Sequence, residues 1–210
     1  MKILIADDHA VVRRGLKQLL ADEFATLAAY EARNAEEALS LARQHEDWDL
    51  VVLDISMPDR TGLEVLKEIK QLRPHVPVLI LTTHAEEQYA LRVLKAGAAG
   101  YMTKESSPEH LIEAVRIVVG GERYISSTLT DFLADSLTVD IEKRPHENLS
   151  DREYQVLRLI ASGKAVSRIA AELSLSVKTV STYRTRVLEK LDLHTNAELA
   201  NYALRNALIE

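Results

Sequence analysis

Apolar runs alternate with helix-like patterns through the first half of this chain. Five short apolar runs, at residues 2–6, 26–30, 50–53, 78–81 and 98–102, are each followed by a stretch whose apolar residues recur at helical spacing. The runs lack regular apolar–polar alternation, which is typical of strands covered on both faces. The pattern therefore predicts a parallel sheet with helices on both sides. Short apolar runs also occur in buried helices, which is the alternative interpretation.

The segment after these five units lacks a clear period. The last helix of the first half is predicted at residues 108–119, with Pro108 suited to its first turn and a Gly-Gly pair at its end. Periodicity is weaker across residues 121–148, which we interpret as a linker with a short helix around residues 129–137. The chain is thus predicted to have two domains, one on either side of this linker.

Only helical patterns follow the linker. Ser150 and Glu153 have the spacing of a capping box and predict the start of a helix. Further helices are predicted at residues 166–173, 177–191 and 196–207. The second and third of these four helices have the outline of a helix-turn-helix.

Charge differs between the two halves of the chain. Hydrophobic residues make up 47% of the 210 residues, which is enough for a core in each half. Residues 1–142 contain 15 Lys and Arg against 24 Asp and Glu, a net charge of −9, whereas residues 143–210 contain 11 against 8, a net charge of +3. The asymmetry suggests a different partner for each half, although ordinary variation between surfaces is the alternative.

The composition also excludes some kinds of site. The chain has no cysteine, which rules out disulfides and thiolate metal sites. No secretory signal precedes the first apolar run, and the longest apolar runs fall well below the ~20 residues of a membrane span. These features predict a soluble cytoplasmic protein with no membrane partner.

Polar residues follow the predicted strands at the points where these strands end. Asp7 and Asp8 come after the first strand, Asp54 after the third, Thr82 after the fourth and Lys104 after the fifth. Ligands bind at the carboxyl ends of the strands in an open parallel sheet, so we expect these side chains to form one site. A single Asp after a strand is often only a turn residue or a helix cap, but the ordered set favours a shared site.

The residue types of this set suit phosphoryl chemistry. Neighbouring carboxylates repel one another unless a cation neutralises them, and oxygen ligands without cysteine favour Mg²⁺. Lys104 and Thr82 offer an ammonium and a hydroxyl to a phosphoryl oxygen. A carboxylate that attacks phosphorus forms an acyl phosphate.

Several short motifs surround these residues. They are Asp7-Asp8-His9, Leu53-Asp54-Ile55-Ser56-Met57-Pro58, Gly62-Leu63-Glu64, Leu81-Thr82-Thr83, Ala96-Gly97-Ala98, Gly100-Tyr101 and Lys104. With this set, residues 1–120 resemble a response-regulator receiver domain, whose sheet is flavodoxin-like and doubly wound. One departure is Thr61, which stands where many relatives have an acidic residue and touches no role assigned here.

The resemblance implies a role for each site residue. Asp54 would be phosphorylated by a sensor histidine kinase or a small phosphodonor. Mg²⁺ would be held by Asp8, Asp54 and the backbone carbonyl of Ser56, with Asp7 assisting through water. Thr82 and Tyr101 would be a switch pair, in which Thr82 moves towards the phosphoryl group and Tyr101 reorients into the space vacated, with Lys104 beside them. A plain, half-buried tyrosine is the alternative for Tyr101.

The predicted helix at residues 177–191 has two different faces. One stripe is apolar, and the opposite face is cationic and hydroxylic, which suits phosphates and base edges. The apolar stripe contains Val177, Val180, Tyr183, Val187, Leu188 and Leu191, and the outward face contains Lys178, Ser181, Thr182, Thr185 and Arg186. Periodicity alone favours a small helical bundle with a solvated face. Arg184 lies near the apolar stripe, and its role stays open between contacting DNA and packing its stem.

The sequence motifs of the second half favour DNA binding instead. Its motifs are Leu149-Ser150-Asp151-Arg152-Glu153, Val156-Leu157, Gly163, Ile169-Ala170, Leu173, Leu175-Ser176, Lys178-Thr179-Val180 and Glu189-Lys190-Leu191. With these motifs the second half resembles a LuxR-type helix-turn-helix, and the whole chain resembles a NarL/FixJ-type response regulator. By this resemblance, Ser181, Thr182 and Thr185 would face bases, and Lys178, Thr179 and Arg186 would hold phosphates. Tyr183 stands where relatives often have His.

These observations predict a receiver domain at residues 1–120, a linker at 121–148 and an all-α, four-helix DNA-binding domain at 149–210. The expected function is a transcription regulator, not an enzyme, in which phosphorylation of Asp54 controls binding to double-stranded DNA, with a homodimer formed on phosphorylation or DNA binding. One alternative is a DNA-binding regulator whose receiver serves only for dimerisation or docking. Another is a phosphotransfer enzyme or phosphatase that uses the paired aspartates.

Overall fold

The chain divides into two compact units, Met1–Asp131 and Phe132–Glu210. The computed structural model describes residues 1–57, 60–83, 86–126, 129–130 and 145–209, and the side chains of all of these except 86–88. The short helix predicted around residues 129–137 lies mostly outside the described residues.

The first unit is built on a parallel sheet of five strands. The strands are β1 (Lys2–Ala6), β2 (Ala28–Ala32), β3 (Leu50–Leu53), β4 (Val78–Thr82) and β5 (Gly100–Thr103). Their order in the sheet is β2-β1-β3-β4-β5, and all neighbours are parallel. The predicted doubly wound sheet is confirmed. The second and fifth strands begin two residues later than predicted, and both are edge strands, whose single pairing partner sets their register.

Helices connect these strands and cover the sheet. They are α1 (Ala10–Glu23), α2 (Ala35–Gln44), α3 (Gly62–Leu72), α4 (Glu86–Lys95) and α5 (Pro108–Val119). One face of the sheet buries residues such as Ile5, Val52 and Leu81 against side chains of α1 and α5, including Leu20 and Val115. This burial removes the continuous apolar runs from water.

The second unit is helical throughout its described part. A 3-10 helix (Pro145–Asn148) precedes α6 (Asp151–Ala161), α7 (Val166–Glu172), α8 (Val177–Leu191) and α9 (Asn196–Arg205). The predicted capping box is confirmed, because the Ser150 hydroxyl accepts from the Glu153 backbone N–H and the Glu153 carboxylate accepts from the Ser150 backbone N–H at 2.8 Å. The last helix ends two residues before its predicted end, where Ala207 takes a positive φ of 52°.

The 3-10 helix packs on the helices that follow it. His146 is buried, and its Nδ1 lies 2.9 Å from the Tyr202 hydroxyl of α9. The Lys190 ammonium of α8 donates to the backbone carbonyl of Asn148 at 3.4 Å. This end of the predicted linker is therefore part of the packed helical unit.

Candidate phosphoacceptor site and nucleic-acid interface

The polar residues singled out at the strand ends lie at one edge of the sheet. Asp7 follows β1, Asp54 follows β3, Thr82 is the last residue of β4, and Lys104 follows β5. Asp7 and Asp54 are 2% and 1% exposed, and Thr82 is fully buried. Parallel strands bring their carboxyl ends together, which is why residues distant in sequence meet here.

Lys104 joins the two buried carboxylates. Its Nζ lies 2.7 Å from Asp54 Oδ2 and 2.7 Å from Asp7 Oδ2. Burial acts to lower the pKa of the Lys104 ammonium, but the carboxylates of Asp54 and Asp7 hold this pKa above its ordinary value. Burial also raises the pKa of the Asp54 carboxyl, and the charge of Lys104 opposes this rise. The site thus places a fixed positive charge beside the Asp54 carboxylate.

The acidic cluster has the geometry of a cation site. Asp7, Asp8, His9 and Asp54 each offer a ligand atom, and these atoms lie within 4.8 Å of one another. Three of the four are carboxylates, the donors that Mg²⁺ prefers. One positive charge from Lys104 does not balance three carboxylates, so a bound divalent cation fits the residues present. Ser56 lies beside them, with its backbone N–H 3.2 Å from Asp54 Oδ1.

His9 belongs to this cluster, although the sequence assigned it no role. Its Nδ1 lies 2.7 Å from Asp8 Oδ1 and 3.2 Å from Asp7 Oδ1, and its backbone N–H donates to Asp7 Oδ1 at 2.7 Å. Arg13 donates from Nη1 to the backbone carbonyl of Asp7 at 2.7 Å. These contacts fix the loop between β1 and α1, and their only sequence signal is the position of His9 directly after the two aspartates.

Gly62 allows the start of α3 to pack against the backbone at Asp54. A β-carbon at Gly62 would lie 2.7 Å from Ile55 Cα and closer still to the Asp54 carbonyl oxygen. The Gly62 backbone N–H donates to the Ile55 carbonyl at 2.9 Å. Thr61, the departure noted in the sequence, caps α3 through a capping box with Glu64. Gly62 and Thr61 therefore position the loop that follows Asp54.

Thr82 and Tyr101 lie on neighbouring strands. Thr82 pairs with Thr103, and Ile80 pairs with Tyr101, which puts Tyr101 and Thr82 on the same face of the sheet, diagonal to each other. Tyr101 is fully buried, like Thr82. Both side chains therefore lie on one buried face of the sheet.

The outward face of α8 is exposed as predicted. Lys178, Ser181, Thr182, Thr185 and Arg186 are all exposed. The hydroxyls of Thr182 and Thr185 donate to the carbonyls of Lys178 and Ser181, at 3.0 and 3.1 Å, so their rotamers are held by their own helix.

Two residues of α8 differ in exposure from the residues with which they were grouped, Thr179 from the DNA-contacting set and Val177 from the apolar stripe. Thr179 is half-buried, and its hydroxyl lies 2.8 Å from that of the N-cap, Ser176. Val177 follows the apolar spacing of α8 but is 52% exposed, whereas Val180, Val187, Leu188 and Leu191 are buried. Val177 is the first residue of α8, and the first buried residue of the stripe is Val180.

Arg184, whose role the sequence left open, contacts the next helix. Its Nε donates to Asn196 Oδ1, the side-chain oxygen of the first residue of α9, at 2.6 Å. The side chain is half-buried. This hydrogen bond to α9 does not by itself decide between the two roles left open, contacting DNA and packing its stem.

The fold and the site define a class of protein. A doubly wound sheet with a buried aspartate, a lysine and an acidic cluster at its carboxyl edge, followed by a helix-turn-helix unit, is the arrangement of a phosphoacceptor domain joined to a DNA-binding domain. Residues 3–116 match the response regulator receiver domain, and residues 147–203 match the bacterial regulatory proteins of the luxR family. The chain belongs to the two-component response regulators of the NarL/FixJ type.

Individual relatives agree with this assignment over the whole chain. The response regulator GacA of Pseudomonas aeruginosa is 37% identical over 211 residues, covering 100% of this chain and 98% of GacA. The response regulator UvrY of Escherichia coli is 37% identical over 210 residues, covering 99% of this chain and 95% of UvrY. The structure of an RcsB–DNA complex is similar with a TM-score of 0.60 and 25% identity, covering 100% of this chain and 99% of RcsB.

Within the described part of the chain, no helix is long and apolar enough to cross a membrane.

Proposed function

We propose that Asp54 accepts a phosphoryl group from a sensor histidine kinase, and that the charge stored there controls sequence-specific DNA binding by α8. The observation that supports this most directly is the buried Asp54 carboxylate with the Lys104 ammonium 2.7 Å away, in one chain with a helix-turn-helix unit. The result is a transcription regulator that works in the cytoplasm, where DNA is accessible to it.

The transfer itself needs little beyond positioning. An Asp54 carboxylate oxygen forms a bond to phosphorus while the bond from phosphorus to the kinase histidine nitrogen breaks, and that nitrogen keeps the electron pair and takes a proton. Lys104 then contacts a phosphoryl oxygen. Asp8, Asp54 and the Ser56 carbonyl would hold Mg²⁺, with Asp7 assisting through water. When bound, Mg²⁺ neutralises negative charge on the carboxylates and the phosphoryl oxygens.

The stored charge is then converted into a change of packing. A phosphorylated side chain has about 1.5–2 negative charges near neutral pH and three strong acceptor oxygens. The Thr82 hydroxyl moves towards one of these oxygens, and Tyr101 reorients into the space that Thr82 leaves. The full burial of both side chains supports this role, because a close-packed interior favours two discrete arrangements over a continuous shift.

The second unit recognises DNA through α8. Ser181, Thr182 and Thr185 face bases in the major groove, and Lys178, Thr179 and Arg186 hold phosphates. Two chains form a homodimer on phosphorylation or on DNA, and each contributes one α8 to a half-site. The similarity to RcsB, whose dimers have been solved on DNA, supports this assembly; that structure has a TM-score of 0.59. The receiver spans residues 1–120 and the DNA-binding domain spans residues 149–210. Residues 121–148 are the linker between them, and its last four residues pack on the DNA-binding domain.

A phosphorylation assay tests the first step. The full chain is incubated with Mg²⁺ and acetyl phosphate, and the mass of the intact protein is measured. Wild type gains one phosphoryl group, and Asp54→Asn gains none, because the amide is not a nucleophile of this kind. Absence of incorporation into wild type would instead support the alternative of a receiver that serves only for docking. The chain should not turn over an external phosphomonoester, and such turnover would indicate a phosphatase.

A further inference from the structure

Arg184 lies at the border between the core of the helical unit and the outward face of α8. Val180 and Leu188, one turn before it and one turn after it, are both buried. Ser181, which precedes it by three residues on an adjacent part of the helix surface, is exposed. A long side chain at this border reaches either face, so its direction is decided by its contacts.

The contact of Arg184 with Asn196 decides that direction. The Nε group donates to Asn196 Oδ1 at 2.6 Å, across a separation of 12 residues. Asn196 begins α9 directly after the N-cap, Thr195. Among the described residues, Asn196 is the only hydrogen-bond partner of Arg184. The Nη1 and Nη2 groups of Arg184 have no partner among these residues. A guanidinium held through Nε presents these two groups in a fixed plane, which reduces the entropy lost on binding.

The positive charge of Arg184 is also unbalanced among the described residues. No carboxylate there forms an ion pair with it. Glu198, the acid nearest in sequence on α9, is already used by the cap, since its carboxylate accepts from the backbone N–H groups of His194 and Thr195 at 2.7 and 3.3 Å. A half-buried, pre-oriented and unpaired guanidinium suits an anion with two acceptor oxygens, such as a phosphate.

We infer that Arg184 contacts a backbone phosphate of the bound DNA, and that Asn196 is the positioning residue that holds it there. The inference rests on the proposed function only in placing α8 in the major groove. Arg186 lies roughly 160° away from Arg184 around the helix. The two arginines therefore flank α8 and meet phosphates on the two strands that border the groove. A phosphate contact fixes orientation and conveys no sequence information, so Arg184 strengthens binding to every sequence equally.

The salt dependence of DNA binding tests this contact. The full chain is titrated onto two duplexes, one of random sequence and one selected by this protein from a random pool, at several KCl concentrations. Each phosphate contact adds about 0.9 to the slope of log affinity against log salt. The slope of Arg184→Ala should therefore be shallower by about 0.9 on both duplexes, so wild-type affinity falls roughly 3.5-fold more than that of the variant between about 50 and 200 mM salt.

Three further variants separate the charge from the positioning. Arg184→Lys keeps the charge and should keep the wild-type slope. Arg205→Ala removes an exposed arginine at the last residue of α9 and serves as the matched control, with an unchanged slope. Asn196→Ala should weaken binding in the wild-type background and have no further effect in the Arg184→Ala background, because the amide acts through Arg184.

Three outcomes would overturn the inference. An unchanged salt slope for Arg184→Ala, together with a lowered melting temperature, would show that Arg184 stabilises the packing of α8 on α9 and does not contact a phosphate. A loss confined to the selected duplex would make it a base contact. Additive effects of the two substitutions would remove the positioning role of Asn196. If wild type binds both duplexes with equal affinity, the proposed sequence-specific function fails. The salt slope on the random duplex still tests the phosphate contact of Arg184 in that case. No binding to either duplex would contradict both.

Discussion

Gly62 packs directly against the backbone of Asp54: a β-carbon at residue 62 would lie 2.7 Å from the neighbouring Ile55 Cα and closer to the Asp54 carbonyl oxygen. The start of α3 and the end of β3 are therefore in contact through main-chain atoms. Because backbone cannot rotate out of the way as a side chain can, any larger residue must displace the loop that contains Asp54.

Substitution of Gly62 by Ala should destabilise the first unit and impair phosphorylation. Overpacking of this kind costs about 1–3 kcal/mol. Urea denaturation gives the free energy of unfolding, and incorporation from acetyl phosphate measures the site. Gly15→Ala is the control: Gly15 lies inside α1 with open space around it, so the variant should be more stable by about 0.5–1 kcal/mol. Equal stabilities for the two variants would contradict the close approach at Gly62.

Thr61 should be important for stability although it is not a phosphoryl ligand. Its hydroxyl caps α3, and Thr61→Ala should lower the free energy of unfolding by about 1 kcal/mol. Thr61→Asp should retain most of the stability, because aspartate is an equally good N-cap. If both variants lose the same stability, the cap is not the reason for the threonine.

The ion pair of Glu153 and Lys190 should make the helical unit sensitive to acid. Burial opposes ionisation of Glu153, but the Lys190 ammonium at 2.6 Å and the Ser150 N–H hold the pKa of this carboxyl below its ordinary value of 4.5. A lowered folded-state pKa stabilises the fold above the unfolded-state value, and this contribution is lost as pH falls from about 4.5 through the folded-state pKa.

Denaturation of the full chain between neutral and acidic pH measures this contribution. Glu153→Gln should be less stable than wild type at neutral pH, and the difference should shrink as the pH falls below about 4.5. Glu189→Gln, an exposed change on α8, should show no such convergence. A difference between wild type and Glu153→Gln that stays constant with pH would show that the ionised pair is not the cause.

The end of the predicted linker should contribute to the stability of the helical unit. His146→Ala removes the hydrogen bond to Tyr202 and the edge contact of the two rings, and should lower the melting temperature. Tyr202→Phe keeps the ring and should cost about 1 kcal/mol, the value of one hydrogen bond. His75→Ala removes an exposed histidine of the first unit and should have no effect. A His146→Ala variant with wild-type stability would mean that residues 145–148 act only as a tether.

Features with a period or a fixed chain order could be predicted from the sequence. The alternation of apolar runs and helices determined the sheet, and the strand-end positions of Asp7, Asp54, Thr82 and Lys104 brought them to one edge. The exposed set on α8 followed from helical spacing alone. In each case the prediction depends only on the residues of one helix or strand, or on the order of these elements along the chain.

Contacts between distant backbone segments could not be predicted in this way. Gly62 is one of seven glycines, and its requirement arises only where α3 meets β3. The hydrogen bond of Arg184 joins two helices across a turn whose geometry no spacing encodes. Val177 follows the apolar period of α8 but is 52% exposed, because burial depends on which neighbouring elements reach a residue and not on its spacing alone.

One comparison of affinities tests whether phosphorylation of Asp54 controls DNA binding. The affinity of the full chain for its selected duplex is measured with Mg²⁺, with and without acetyl phosphate, for wild type and for Asp54→Ala. The phosphodonor should tighten binding by wild type and leave the affinity of Asp54→Ala unchanged. Equal tightening in both proteins, or none in a wild type shown to be phosphorylated, would contradict it.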